Sequence, residues 1–108
     1  MSFTGTPEPP YYAVIFTTMR VNDPKDGYAE MSERLEKMVC DQPNYIGTES
    51  VRVNDGFGIT VCYWKDEASI TNWKINLEHQ DVQEKGKAIW YKNYFLRIAK
   101  VDRDNETI

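Results

Sequence analysis

YWKDEASITNWKINLEHQDVQEKGKAIWYKNYFLRIAKV, residues 63–101, is the stretch on which the reading of this chain turns. It opens on the end of a strand. Asp66 is the expected cap of a short helix running to about Asn76, a second helix is expected over about Glu78 to Trp90, and Tyr94 to Val101 reads as a closing strand. All three tryptophans, Trp64, Trp73 and Trp90, and the single histidine, His79, fall within it.

Upstream, YYAVIFTTMR (residues 11–20) is rich in β-branched and aromatic residues and predicts a strand. Tyr28, Met31, Leu35, Met38 and Val39 repeat at helical spacing, and the helix should stop by Asp41–Pro43, since proline disfavours helical geometry in the residue before it. Tyr45–Val53 and Phe57–Trp64 read as strands joined through Asn54-Asp55-Gly56, a strong hairpin signal. The predicted order is β-α-β-β-α-(α)-β, an α+β, ferredoxin-like arrangement with a four-stranded antiparallel sheet. Residues 1–10 form an N-terminal arm expected to be flexible, residues 11–101 the domain, and residues 102–108 a polar tail.

The first strand is apolar on both sides, with Tyr12, Val14 and Phe16 facing one way and Tyr11, Ala13, Ile15 and Met19 the other. The third strand does the same. Helices of one chain cover only one face of such a sheet, so the second face predicts a homodimer with sheets packed face to face.

At 108 residues the chain is long enough for one domain with a core of its own. The net charge of −4 and the scattered lysines and arginines argue against nucleic acid and anionic membranes as partners. Two distant cysteines, no membrane-length apolar run and no signal-peptide pattern lead to the expectation of a soluble cytoplasmic protein.

From His79, helical spacing places Val82, Gln83, Gly86 and Trp90 on one inward-facing side, with Gly86 opening room beside them. A cavity floored by the sheet and roofed by Trp73, His79, Gln83 and Trp90 follows. The same residues also read as ordinary packing: Trp73 as a core anchor, His79 bonded to a backbone carbonyl, Trp90 and Tyr91 filling a helix–strand junction. Metal-site, phosphate-loop and nucleophile-elbow patterns are missing.

The run from Tyr63 to Val101 resembles the antibiotic biosynthesis monooxygenase domain of the dimeric α+β barrel superfamily. The likeness is carried by Tyr63-Trp64, Glu67-Ala68, Trp73, His79, Gln83, Gly86, Trp90-Tyr91 and Tyr94. It implies a dimer with a pocket between sheet and helices, and cofactor-independent oxygenation of a small phenol-, quinol- or anthrone-like compound by dioxygen. His79 would then be the proton acceptor beside Trp73, while Tyr63, Gln83, Trp90 and Tyr94 bind substrate. A haem-degrading branch is the alternative. Trp73 matches its tryptophan, but the histidine position falls on Gln83 and the first-strand asparagine on Thr17 or Thr18. A non-catalytic small-molecule-binding dimer is the third reading.

Overall fold

The computed structural model describes residues 3–20, 28–79 and 91–107. Six elements follow in order: β1 (Tyr11–Arg20), α1 (Tyr28–Cys40), β2 (Tyr45–Arg52), β3 (Phe57–Trp64), α2 (Glu67–His79) and β4 (Tyr91–Val101). The strands form one sheet in the order β2-β3-β1-β4, every neighbouring pair antiparallel. This is the ferredoxin-like α+β topology expected from the sequence.

Local chemistry sets the boundaries. Beyond Cys40, Asp41 N–H donates to Met38 O at 3.3 Å and Gln42 N–H to Val39 O at 3.0 Å, which closes α1 ahead of Pro43. Asn44 then takes the left-handed conformation (φ 65°), which asparagine tolerates better than most residues, and turns the chain into β2. Its side-chain amide donates to Asp66 Oδ2 at 3.0 Å and Ser69 Oγ at 3.2 Å, tying this turn to the start of α2. Asp66 caps α2 by accepting the Ser69 N–H at 2.8 Å. Between β2 and β3, Gly56 N–H donates to Val53 O at 3.0 Å, and the φ of 99° at Gly56 is one a side chain would strain.

Two boundaries differ from the sequence expectation. The helix from Glu67 runs unbroken to His79 instead of stopping near Asn76, because no glycine or proline interrupts it. The second helix expected over Glu78–Trp90 therefore loses its first two residues to α2, and its remainder lies outside the described residues. The last strand begins at Tyr91, not Tyr94. A register shift where Met19 pairs with Asn93 and Arg20 with Tyr91 absorbs one extra residue in β4 and carries the pairing further.

Register divides the side chains between two faces. Tyr12, Val14, Phe16 and Thr18 of β1 share the helix face with Thr60, Cys62 and Trp64 of β3 and with Tyr94, Leu96 and Ile98 of β4. Tyr11, Ala13 and Ile15 share the open face with Ile59, Val61, Tyr63, Phe95 and Arg97. Among the described residues the core under the helices is small. Trp64, 1% exposed, packs with Val39 of α1 and Ile70 of α2, flanked by Tyr12, Val14, Tyr45, Cys62 and Trp73.

One end of the open face is covered by the chain's own termini. Thr4 N–H donates to Glu49 Oε2 at 3.0 Å, and Thr4 packs against Gly47, leaving no room there for a Cβ. From the other terminus, Asp104 Oδ2 accepts the Tyr11 hydroxyl at 2.7 Å. Tyr11 and Ala13 are buried as a result. Further along the same face, Val51, Phe57 and Phe95 stay exposed.

Candidate functional site

The helices do not cover their face of the sheet evenly. The buried cluster gathers at the Trp64 end, where the Tyr45 ring lies edge-on to Trp64 at 5.3 Å and the Trp73 ring lies 6.4 Å away, tilted by 35°. At the other end, β4 presents Tyr94, Leu96 and Ile98 to solvent at 43, 47 and 51% exposure on this same face. Phe16 stands beside Tyr94 with ring centroids 5.4 Å apart, nearly edge to face. An apolar strip with an aromatic pair thus lies along β1 and β4 on the helix side.

Polar groups border this strip on the β2–β3 side. Ser50 and Thr60 are joined hydroxyl to hydroxyl at 2.8 Å. Arg52 reaches over Gly58: its Nη2 donates to Thr18 Oγ1 at 2.8 Å and its Nη1 to the Gly56 carbonyl. Thr18 is buried, at 3% exposure. Nearer Trp64, the hydroxyls of Tyr45 and Thr48 share a hydrogen bond, and Thr48 Oγ1 lies 3.4 Å from Cys62 Sγ. Burial pushes the Cys62 thiol above its ordinary range, so it is a poor nucleophile at neutral pH.

The residues expected from the sequence are distributed as follows. Trp73 sits half-buried in α2 against Trp64. Tyr94 lies on the same face of the sheet but toward the other end, opposite Thr18 rather than Tyr12. His79 is the last residue of α2. Gln83, Gly86 and Trp90 lie outside the described residues. Tyr63 is placed on the open face, where its hydroxyl donates to Glu49 Oε1 at 2.7 Å. Alternation along β3 puts it opposite to Trp64, so it does not share a pocket with Trp73 in one subunit. Its hydroxyl pKa is pushed up to about 12, by burial first and then by the Glu49 carboxylate. Arg52 was not singled out from sequence, and Thr18 only as a position where the haem branch would carry an asparagine. The signal that points to them is Gly58 within a strand, a position often marking close approach.

Haem finds little support in these residues. Thr17 faces away from the helices, and Thr18 is buried and bonded to Arg52 where an asparagine amide would be required. Trp73 alone of the three haem-branch residues matches. Among the described residues no group of three His, Cys, Asp or Glu side chains could hold a metal ion, and no helix is long and apolar enough to cross a membrane.

Comparison with known proteins bears on this geometry. SnoaB of Streptomyces nogalater, a cofactor-independent oxygenase, superposes with a TM-score of 0.72 at 9% identity over 87% of this chain and 95% of its own. A dimeric ferredoxin-like protein of unknown function from Thermobifida fusca gives 0.66 at 9% identity, covering 93% of this chain and all of its own. At such identity the likeness is one of fold. In sequence, the jasmonate monooxygenase ABM of Pyricularia oryzae is 28% identical over 102 residues, 88% of this chain, which spans 46% of that longer protein. No family model matches the chain.

Taken with the sheet order, the structural likenesses define a ferredoxin-like α+β domain, and the sequence is similar to that of a monooxygenase carrying the ABM name. The uncharacterized protein YqjZ of Bacillus subtilis is 50% identical over 98 residues, 91% of this chain and 85% of YqjZ. The chain belongs to the same family as YqjZ.

Proposed function

We propose that the protein is a cofactor-independent monooxygenase, acting in the cytoplasm as a homodimer on a small aromatic compound of the phenol, quinol or anthrone class. The observation that carries this reading is the solvent-facing strip of Tyr94, Leu96 and Ile98 beside Phe16 on the helix side of the sheet. Apolar surface of this kind, bordered by a few fixed polar groups, suits a flat ring with oxygen substituents. The SnoaB fold and the sequence likeness to a monooxygenase support the reaction class.

In this reading the substrate supplies all the electrons. Loss of a proton from its hydroxyl or activated methylene gives an electron-rich anion that reacts with dioxygen. One oxygen atom enters the product and the other leaves as water. An anthrone so becomes an anthraquinone and a phenol a quinone. His79, whose imidazole titrates near neutrality in the unperturbed state, is the proposed proton acceptor. Trp73, Trp90 and Tyr94 are proposed as ring contacts, and Gln83 as a hydrogen-bond partner of a substrate oxygen.

The homodimer is supported by the apolar residues left on the open face, Val51, Phe57 and Phe95, at 60, 41 and 58% exposure. The T. fusca neighbour is described as dimeric. Sedimentation equilibrium of the wild type and a Phe57→Asp variant checks this: a dimer that the variant splits is expected.

Oxygen consumption tests the activity, with anthrone, 1,4-hydroquinone and 1-naphthol as probes in chelator-treated buffer. Uptake well above the autoxidation rate, lost in His79→Ala, is the expected result. Tryptophan quenching by the probes without oxygen uptake would make the protein a binding module instead.

A further inference from the structure

We propose that the N-terminal arm is part of the interface between two copies of this chain, with the Phe3 ring of each seated on the uncovered end of the other's open sheet face. The inference rests on the homodimer proposed above, and it names the segment that completes that interface.

The arm lies on the open face with alternate residues turned toward the sheet and away from it. Thr4 and Thr6 are half-buried, while Phe3 and Gly5 are exposed. Thr4 is held by its N–H on Glu49 Oε2 at 3.0 Å and by its hydroxyl on Thr48 O at 3.4 Å. Its methyl fills the place that a Cβ on Gly47 would need, so β2 gives up a side chain to seat it. The Thr6 side chain hydrogen-bonds Tyr11, which Asp104 also holds. Phe3 is next to the pinned Thr4. At 80% it is the most exposed large apolar side chain among the described residues, and it stands on the side of the arm turned away from its own sheet.

A second copy of the chain suits this surface on two grounds, area and shape. Four strands, the two shortest of 8 residues, give a face of about 500 Å² in plan. The arm already covers one end of it. A stable interface takes about 800 Å² from each partner, so the outer surface of the arm has to contribute.

The shape is complementary end to end. The arm raises the end of the face that holds Tyr11, Gly47 and Glu49. At the other end Val51 and Phe95 share one row, with Phe57 beyond it, and all three are bare. A two-fold axis across the strands, between two facing sheets, reverses strand direction and lays the raised end of each protomer over the bare end of the other. Phe3 then meets Val51 and Phe95 of the partner subunit, and the contact is made twice.

Sedimentation equilibrium of the full chain over a concentration series reads the dimer Kd. Phe3→Ser changes an exposed residue, so the fold is not at stake, and it should raise Kd about tenfold or more because the contact is lost on both sides. Gly47→Val leaves every apolar residue of the face in place but lifts Thr4 from its seat, and should raise Kd in the same way. In a dimer mixed from labelled and unlabelled chains, isotope-filtered NOE spectra should join the Phe3 ring of one protomer to the Val51 methyls of the partner subunit. A dimer whose Kd is unchanged in either variant, or that shows no such NOE, overturns the proposal and leaves the homodimer standing. A wild type that is monomeric at every concentration overturns both.

Discussion

The Glu49 carboxylate accepts the Thr4 N–H through Oε2 and the Tyr63 hydroxyl through Oε1, at 3.0 and 2.7 Å, so one side chain of β2 holds both the N-terminal arm and a residue of β3. The Thr4 N–H, then the Tyr63 hydroxyl, lower the Glu49 pKa below its ordinary value of 4.5. A group whose pKa is depressed by folding stabilises the folded state above its unfolded pKa and loses that contribution as pH falls through the folded one. Hydrogen exchange at the Thr4 amide should therefore show steady protection above pH 4.5 and lose it below. Protection that persists to pH 2 in a folded sample would deny Glu49 this role.

Tyr63 gives a second, optical check. Spectrophotometric titration should reveal one phenol ionising near pH 12 in the folded protein, and it should vanish in Tyr63→Phe. That variant should lose about 1 kcal/mol of stability. Because Tyr63 faces away from Trp73, quenching of tryptophan fluorescence by the aromatic probes should not change.

Trp64 anchors the core, so Trp64→Ala should cost about 3–5 kcal/mol in chemical denaturation. Half-buried Trp73 should cost distinctly less on the same substitution. Equal losses would mean that the core is centred elsewhere.

Gly58→Ala tests how closely Arg52 packs over β3. The atoms that a new Cβ would meet belong to the far end of a flexible arginine, which can swing aside. Stability should fall by no more than about 1 kcal/mol, in line with strand propensity differences.

The two thiols should differ in reactivity. Cys40 is exposed at the end of α1, whereas burial raises the Cys62 pKa. Iodoacetamide at pH 8 followed by peptide mass mapping should find Cys40 alkylated first, and Cys62 only after unfolding.

Most of the fold was legible because its signals are local. Pro43 marked the end of α1, Asn54-Asp55-Gly56 the hairpin, and the doubly apolar β1 the two faces of the sheet. The site was less legible, because it depends on which residues of distant strands become neighbours. In β2, Tyr45 pairs with Trp64 and Gly47 with Tyr63, so an extra residue at Ile46 throws Tyr45 onto the helix face. Strict alternation would have set Tyr45 beside Glu49 on the other side. The Arg52–Thr18 bond joins residues 34 apart, and neither carries a motif of its own. Tyr63 was drawn toward Trp64 by adjacency, although adjacent strand residues point apart.

Tyr11 pairs with Val101, so the first residue of β1 and the last of β4 lie side by side on neighbouring antiparallel strands. A short turn between them would make β4 and β1 a hairpin, and new ends could be cut at Asn54–Gly56 without removing a strand. Such a rearranged chain would dispense with both terminal segments at once and lay bare the corner of the sheet they cover. It would show how far the rest of the molecule depends on that cover.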